Sequence, residues 1–153
     1  MRDHFIQMWR YTGWANDRVL AAAMAEGGAE NRRTLNHIAA AQSIWLARVA
    51  PGYSATFGLF EDHALDACAA ELQRGVEGWI AFLEGVSDDQ FGAYVDYANL
   101  RGEPQRNLLH DIVTQVTNHG THHRGQVATR LRLAGHTPPV IDYIAWIREQ
   151  GAG

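Results

Sequence analysis

Between Leu65 and Leu83 apolar side chains return every three or four positions: Leu65, Cys68, Leu72, Val76, Trp79, Ile80 and Leu83. On a helix of 3.6 residues per turn these positions form one stripe, which must be buried against other stripes. Three further segments carry the same period. The first runs from about Asp3 to Met24, with Phe5, Met8, Trp9, Val19, Leu20 and Ala23 inward, and is stopped at Gly27-Gly28. The second begins near Asn31 and ends at Pro51-Gly52, with Leu35, Ile38, Trp45, Leu46 and Val49 inward. The last long one spans about Asn107 to Ala134, carries Leu109, Ile112, Val113, Val116, Val127 and Leu131, and ends at Gly135 before Pro138-Pro139. Four amphipathic helices joined by modest connections predict an all-α protein, an antiparallel four-helix bundle.

The pattern breaks between Phe91 and Arg106. Tyr94-Val-Asp-Tyr97 alternates, Asn99 to Gly102 suits a turn, and Glu103-Pro104-Gln105 follows, so a short hairpin or extended loop is expected before the fourth helix. A short C-terminal helix over Ile141 to Glu149 is expected to lie across the bundle. No linker or repeat interrupts the chain, and residues 1–153 read as a single domain. Tyr11, Trp14 and Arg18 fall opposite the first helix's core stripe, where they await a segment of the same chain or a second copy.

The net charge of -4 offers no basic stripe for nucleic acid. No apolar run approaches the roughly 20 residues of a membrane span, and the N-terminus lacks the apolar core of a signal peptide. The cytoplasm is the expected compartment. All thirteen basic residues are arginine, which excludes lysine Schiff-base chemistry. Cys68 is the only cysteine, which rules out an intrachain disulfide or a thiolate cage; its place on an apolar stripe suits a buried hydrophobe.

The chemistry of the chain concentrates in Asn118-His-Gly-Thr-His-His-Arg-Gly-Gln126. His119 and His123 are one helical turn apart and fall within the inward arc of Leu109, Ile112, Val116 and Val127. Unpartnered imidazoles facing a core would be costly. His37, on the edge of the second helix's apolar side, can be brought against them in a bundle. Two readings follow from the residues: a core of hydrogen-bonded histidines, or three nitrogen ligands of one cation. An all-nitrogen set suits a divalent transition metal, zinc or nickel first, iron or copper next, rather than calcium or magnesium. Neither Glu-x-x-His nor His-Glu-x-x-His occurs. Polar residues breaking the apolar stripes or flanking the histidines are candidates to line an open coordination position: Thr12, Asn16, Gln115, His122, Arg124 and Gln126. Ordinary hydrogen bonding between helices is the alternative for Thr12 and Asn16; Arg124 could pair with an anionic cosubstrate or form a surface salt bridge.

Tyr11-Thr-Gly-Trp-Ala-Asn-Asp-Arg18, Leu35-Asn-His-Ile-Ala-Ala-Ala-Gln-Ser-Ile-Trp-Leu46, His119-Gly-Thr-His-His-Arg-Gly-Gln126 and the stretch from Gly135 to Pro139 before Asp142 follow one another along the chain. With these blocks the sequence resembles the DinB-like (DinB/YfiT) family of small metal-dependent proteins over nearly its whole length. The resemblance implies an up-down bundle with an unusual connection before the last long helix. It implies a metal held by one histidine of the second helix and a His-x-x-x-His pair of the fourth, here His37, His119 and His123. Relatives include bacillithiol transferases and the mycothiol-dependent maleylpyruvate isomerase, and dimers are common among them. The implied activity is therefore transfer of a low-molecular-weight thiol to a small electrophile. A metal-dependent hydrolase and a non-catalytic, stress-associated metal-binding protein are the alternatives.

Overall fold

The computed structural model describes residues 1–26 and 28–151. Gly27, half of the expected stop after the first helix, lies outside the described residues. Its neighbour Gly28 has φ 102°, a left-handed backbone that disfavours a side chain, and it begins the second helix. The elements run α1 (Arg2–Glu26), α2 (Ala29–Val49), α3 (Leu65–Glu84), α4 (Asp88–Phe91), β1 (Tyr94–Ala98), β2 (Pro104–Leu108), α5 (Leu109–Leu133) and α6 (Tyr143–Glu149). The protein is mostly helical with one small sheet.

α1 and α2 each pack against both α3 and α5 and scarcely touch one another. The two helices joined by the shortest connection thus face each other across a diagonal, and α2 and α5 are direct neighbours. That adjacency brings position 37 to positions 119 and 123. The core has two large apolar clusters and a small third one of Tyr11, Ala15 and Trp146. Of the large pair, one gathers Trp9, Trp79, Leu83, Phe91, Leu109 and Ile112; the other gathers Val19, Leu35, Ile38, Cys68, Leu72, Val127 and Leu131. Between them sit buried polar side chains, including Asn16, Gln42 and Arg124. Glycine makes room in that layer, since a Cβ at Gly120 would stand 3.1 Å from Arg124 Nη1.

The expected hairpin is an antiparallel pair, with Tyr94 opposite Leu108 and Ala98 opposite Pro104. It turns through Gly102 at φ 78°. β2 continues through Asn107 and Leu108, so the last long helix starts at Leu109, two residues after the periodicity predicts. Strand pairing claims those two residues before the helix can. α4 was not anticipated. Its signal is the capping box Ser87-Asp-Asp-Gln90, in which the Gln90 side chain accepts from the Ser87 amide at 2.7 Å.

The outward aromatics of α1 are covered from within the chain. Tyr11 Oη donates to the Ile141 carbonyl at 2.7 Å, and Glu149 accepts from Trp14 Nε1 at 2.9 Å and from Arg18 at 2.7 Å. α6 is thus the segment those residues awaited. Among the described residues, no helix is long and apolar enough to cross a membrane.

Candidate metal centre

His37 comes from the first half of α2, where Asn36 fixes the chain that passes over it. The Asn36 amide donates to the carbonyls of Arg32 and His63, at 3.1 and 2.9 Å. Arg32 grips Asp62 with two hydrogen bonds of 2.8 and 2.7 Å. The connection between α2 and α3 is thereby tied down, with Leu59 beside the His37 ring. From the other side α5 presents His119 and His123 on successive turns.

The three rings meet at their Nε2 atoms. His119 Nε2 lies 3.2 Å from His37 Nε2 and 3.0 Å from His123 Nε2, and ring centroids are 4.4 to 5.0 Å apart. Nitrogens about 2.0–2.1 Å from one ion are separated by about 3.0 Å at right angles and about 3.4 Å in a tetrahedron. The observed spacings fall in that interval.

Protonation makes the case sharper. Gln126 Oε1 lies 2.8 Å from His123 Nδ1, and Gln126 Nε2 lies 3.1 Å from His122 Nε2. An amide oxygen only accepts, so the proton of neutral His123 resides on Nδ1 and its Nε2 lone pair points into the cluster. Among the described residues, these three histidines form the one group of three or more His, Cys, Asp or Glu side chains close enough to share an ion. The donor set therefore fits a borderline transition-metal cation: three neutral nitrogens, no thiolate, no carboxylate.

Burial, then the neighbouring His123, His37 and His122 rings, push the His119 pKa down to about 4. Burial and the proximity of His123 also lower His37, against a backbone hydrogen bond at Leu59 that favours its charged form. Both rings thus resist protonation more than a free imidazole does, which favours ligation. Because the folded values lie below the ordinary imidazole value near ~6.5, the unfolded chain binds more protons between ~6.5 and ~4. The metal-free protein should lose stability as pH falls through that window. Thermal unfolding of metal-free protein between pH ~7 and ~5 checks this, and a midpoint that does not fall with pH contradicts it.

The six polar candidates divide by position. Gln126 bridges His123 and His122, while His122 itself is exposed. Replacing Gln126 by leucine frees the His123 ring to turn and to change tautomer. Metal affinity is expected to fall about 10- to 100-fold, as for other outer partners of ligating histidines, in a chelator-competition titration; an unchanged affinity contradicts the orienting role. Gln115 is exposed, in a surface hollow with Trp45, Tyr97 and Asn107, and makes no hydrogen bond to His119. Thr12 is buried and donates to the Met8 carbonyl of its own helix at 2.9 Å. Asn16 accepts from Arg124 Nη1 at 3.0 Å inside the polar layer.

Arg124 corrects an expectation. It forms no surface salt bridge: it is fully buried, donates to Asn16 and Thr121, and stacks over Tyr11 at 5.7 Å. The sign was present in the sequence, since Gly120, Arg124, Val127 and Leu131 share one helical stripe. Cys68 is buried, and burial with nearby Glu71 pushes its thiol up to about 12. It is no nucleophile at neutral pH.

A cavity of about 400 Å³ opens beside the cluster. His37 and His119 form one end of its lining, and Ile44, Trp45 and Arg48 of α2 continue it. Its opposite wall is Tyr97 and the hairpin tip from Asn99 to Arg101. The periodicity of α2 did not reveal this wall, because it depends on where the hairpin lands.

The family profile described as DinB family matches residues 1–152. The chain belongs to the DinB family. No curated protein and no solved structure matches it. The match takes in α2 and α5 whole, so the three histidines lie within the family domain, and the family is one associated with metals.

Proposed function

We propose that this DinB protein is a metal-dependent enzyme that joins a low-molecular-weight thiol to a small electrophile, on the four-helix bundle framework expected from its periodicity. The observation that carries the reading is the convergence of three imidazole nitrogens beside an open cavity, with no fourth His, Cys, Asp or Glu donor among the described residues. Structural zinc is normally closed by four protein ligands, whereas three leave room for an exogenous one. A divalent cation held there supplies Lewis acidity, which favours the ionised form of a thiol or water entering the open side.

The chain's own groups divide the remaining work. Gln126 holds His123 in the tautomer that faces inward. Trp45, Ile44 and Tyr97 exclude water from one side of the entering molecules. Cys68, buried and with its pKa near 12, offers no competing thiolate, which favours a thiol supplied as cosubstrate.

The test is a panel of low-molecular-weight thiols and electrophiles, with esters included, run on untagged protein and on His123→Ala. Thiol consumption that depends on His123 supports the reading. Equal rates in the two proteins remove catalysis from this site, and His123-dependent ester hydrolysis without thiol replaces transfer by hydrolysis.

A further inference from the structure

The cavity beside the histidines is electrically one-sided. Its charged lining residues, apart from the histidines, are Arg48 and Arg101; no aspartate or glutamate contributes. Among the other eleven arginines, six are paired with acids. Arg2, Arg18, Arg32, Arg33, Arg74 and Arg106 each meet a carboxylate. Among the described residues no carboxylate lies within ion-pair distance of Arg48 or Arg101.

Arg48 is also held in place. Its guanidinium stacks over Trp45 at 4.3 Å and over Tyr97 at 4.9 Å, and those two rings meet edge to face at 5.2 Å. Arg48 donates no side-chain hydrogen bond to the described residues, so its N–H groups remain available for paired hydrogen bonds to a carboxylate. The direction is favourable too. His37, Ala41, Ile44 and Arg48 recur at helical spacing on one face of α2. Helical side chains lean toward the N-terminus, so Arg48 leans over Trp45, back toward His37. The side chain is half-buried, and burial lowers its pKa while the Tyr97 hydroxyl works the other way. A partly desolvated cation with an unused donor edge is a strong site for an anion. Arg101 lines the same cavity from the exposed hairpin tip. The rest of the lining is mainly apolar, with Trp45, Tyr97, Ile44 and Leu59, and includes the polar Asn99 and Gln105.

We propose that Arg48, assisted by Arg101, is the carboxylate-recognition element of this cavity, and that the molecule delivered to the histidine cluster is a small organic acid with a flat apolar body. This rests on the reading of the cluster as a substrate-binding centre, and it names the class of molecule bound there. A volume of about 400 Å³ suits a compact ligand.

The test uses benzoate, cinnamate and indole-3-acetate, each against its own neutral amide. Dissociation constants are measured by isothermal titration calorimetry on untagged full-length protein, zinc-loaded and metal-free. At least one acid should bind about tenfold tighter than its amide, the scale of one charge-assisted contact. Arg48→Gln should bring that ratio to within about threefold, and Arg101→Gln, an exposed change that leaves the core alone, should lower it by a smaller factor. His123→Ala should keep the preference. Failure to bind zinc with the preference intact defeats the metal reading and spares this one. Zinc binding with acids and amides bound alike, or with no member of the panel bound, overturns the assignment. A preference that survives Arg48→Gln and vanishes on metal removal puts the carboxylate on the ion and overturns it equally.

Discussion

Alanine at position 119 is expected to abolish the proposed metal binding and turnover while leaving the chain folded. His119 is the middle donor of the cluster, with its Nε2 at 3.2 and 3.0 Å from the other two. Without it, His37 and His123 are left on different helices with one nitrogen each, and two neutral ligands on separate elements hold an ion poorly. Loss of an outer hydrogen-bond partner already costs about 10- to 100-fold in affinity, so loss of a central ligand should exceed about a hundredfold. Competition against a chelating dye measures this directly. The effect on the empty protein should be the reverse. His119 is a half-buried imidazole that resists protonation down to about 4, so a metal-free His119→Ala variant should tolerate pH ~5 better than the metal-free parent. Retention of metal by the variant, with activity intact, contradicts the assignment of this ring.

Trp79→Ala should be the most destabilising single change in the core. Trp79 is fully buried and stacks on Trp9 with centroids 4.9 Å apart and planes 10° from parallel. Its indole N–H donates to the Gln42 carbonyl at 3.0 Å, linking α3 to α2 just above the polar layer. Truncation removes that apolar surface, opens a cavity between α1 and α3, and takes away the carbonyl's side-chain partner. Large-to-small aromatic changes in cores cost about 3–5 kcal/mol, against a total stability of about 5–15 kcal/mol for a domain. At roughly 2–4 °C per kcal/mol for a chain of this size, the unfolding midpoint should drop by about 6–20 °C. Trp79→Phe, which keeps most of the packing and loses the hydrogen bond, should fall much less. Equal midpoints for Trp79→Ala and the parent would show that this layer does not hold the helices together.

Helical periodicity made α1, α2, α3 and α5 legible, because burial of one stripe is a local property of sequence. The histidine pair of α5 was legible for the same reason: positions 119 and 123 sit one turn apart among apolar neighbours. Gln126 was visible as a neighbour of the pair, and its bonds to His123 and His122 stay within a single turn. What spacing alone leaves open is anything set by packing between elements. The meeting of His37 with α5 depends on α2 and α5 being neighbours while α1 and α2 lie across a diagonal. The cavity wall depends on the hairpin folding Tyr97 onto Trp45 and Arg48. Arg124 was misplaced through its type rather than its position. Arginine is rarely fully buried, and here a missing side chain at Gly120 and the Asn16 amide make that burial possible.

An anomalous-difference map from crystals of untagged protein addresses the shared cation most directly. One peak is expected about 2.0–2.1 Å from Nε2 of His37, His119 and His123 together, with its remaining coordination facing the cavity. Empty density between the three rings in metal-supplied crystals, or a peak held by other residues, contradicts the account.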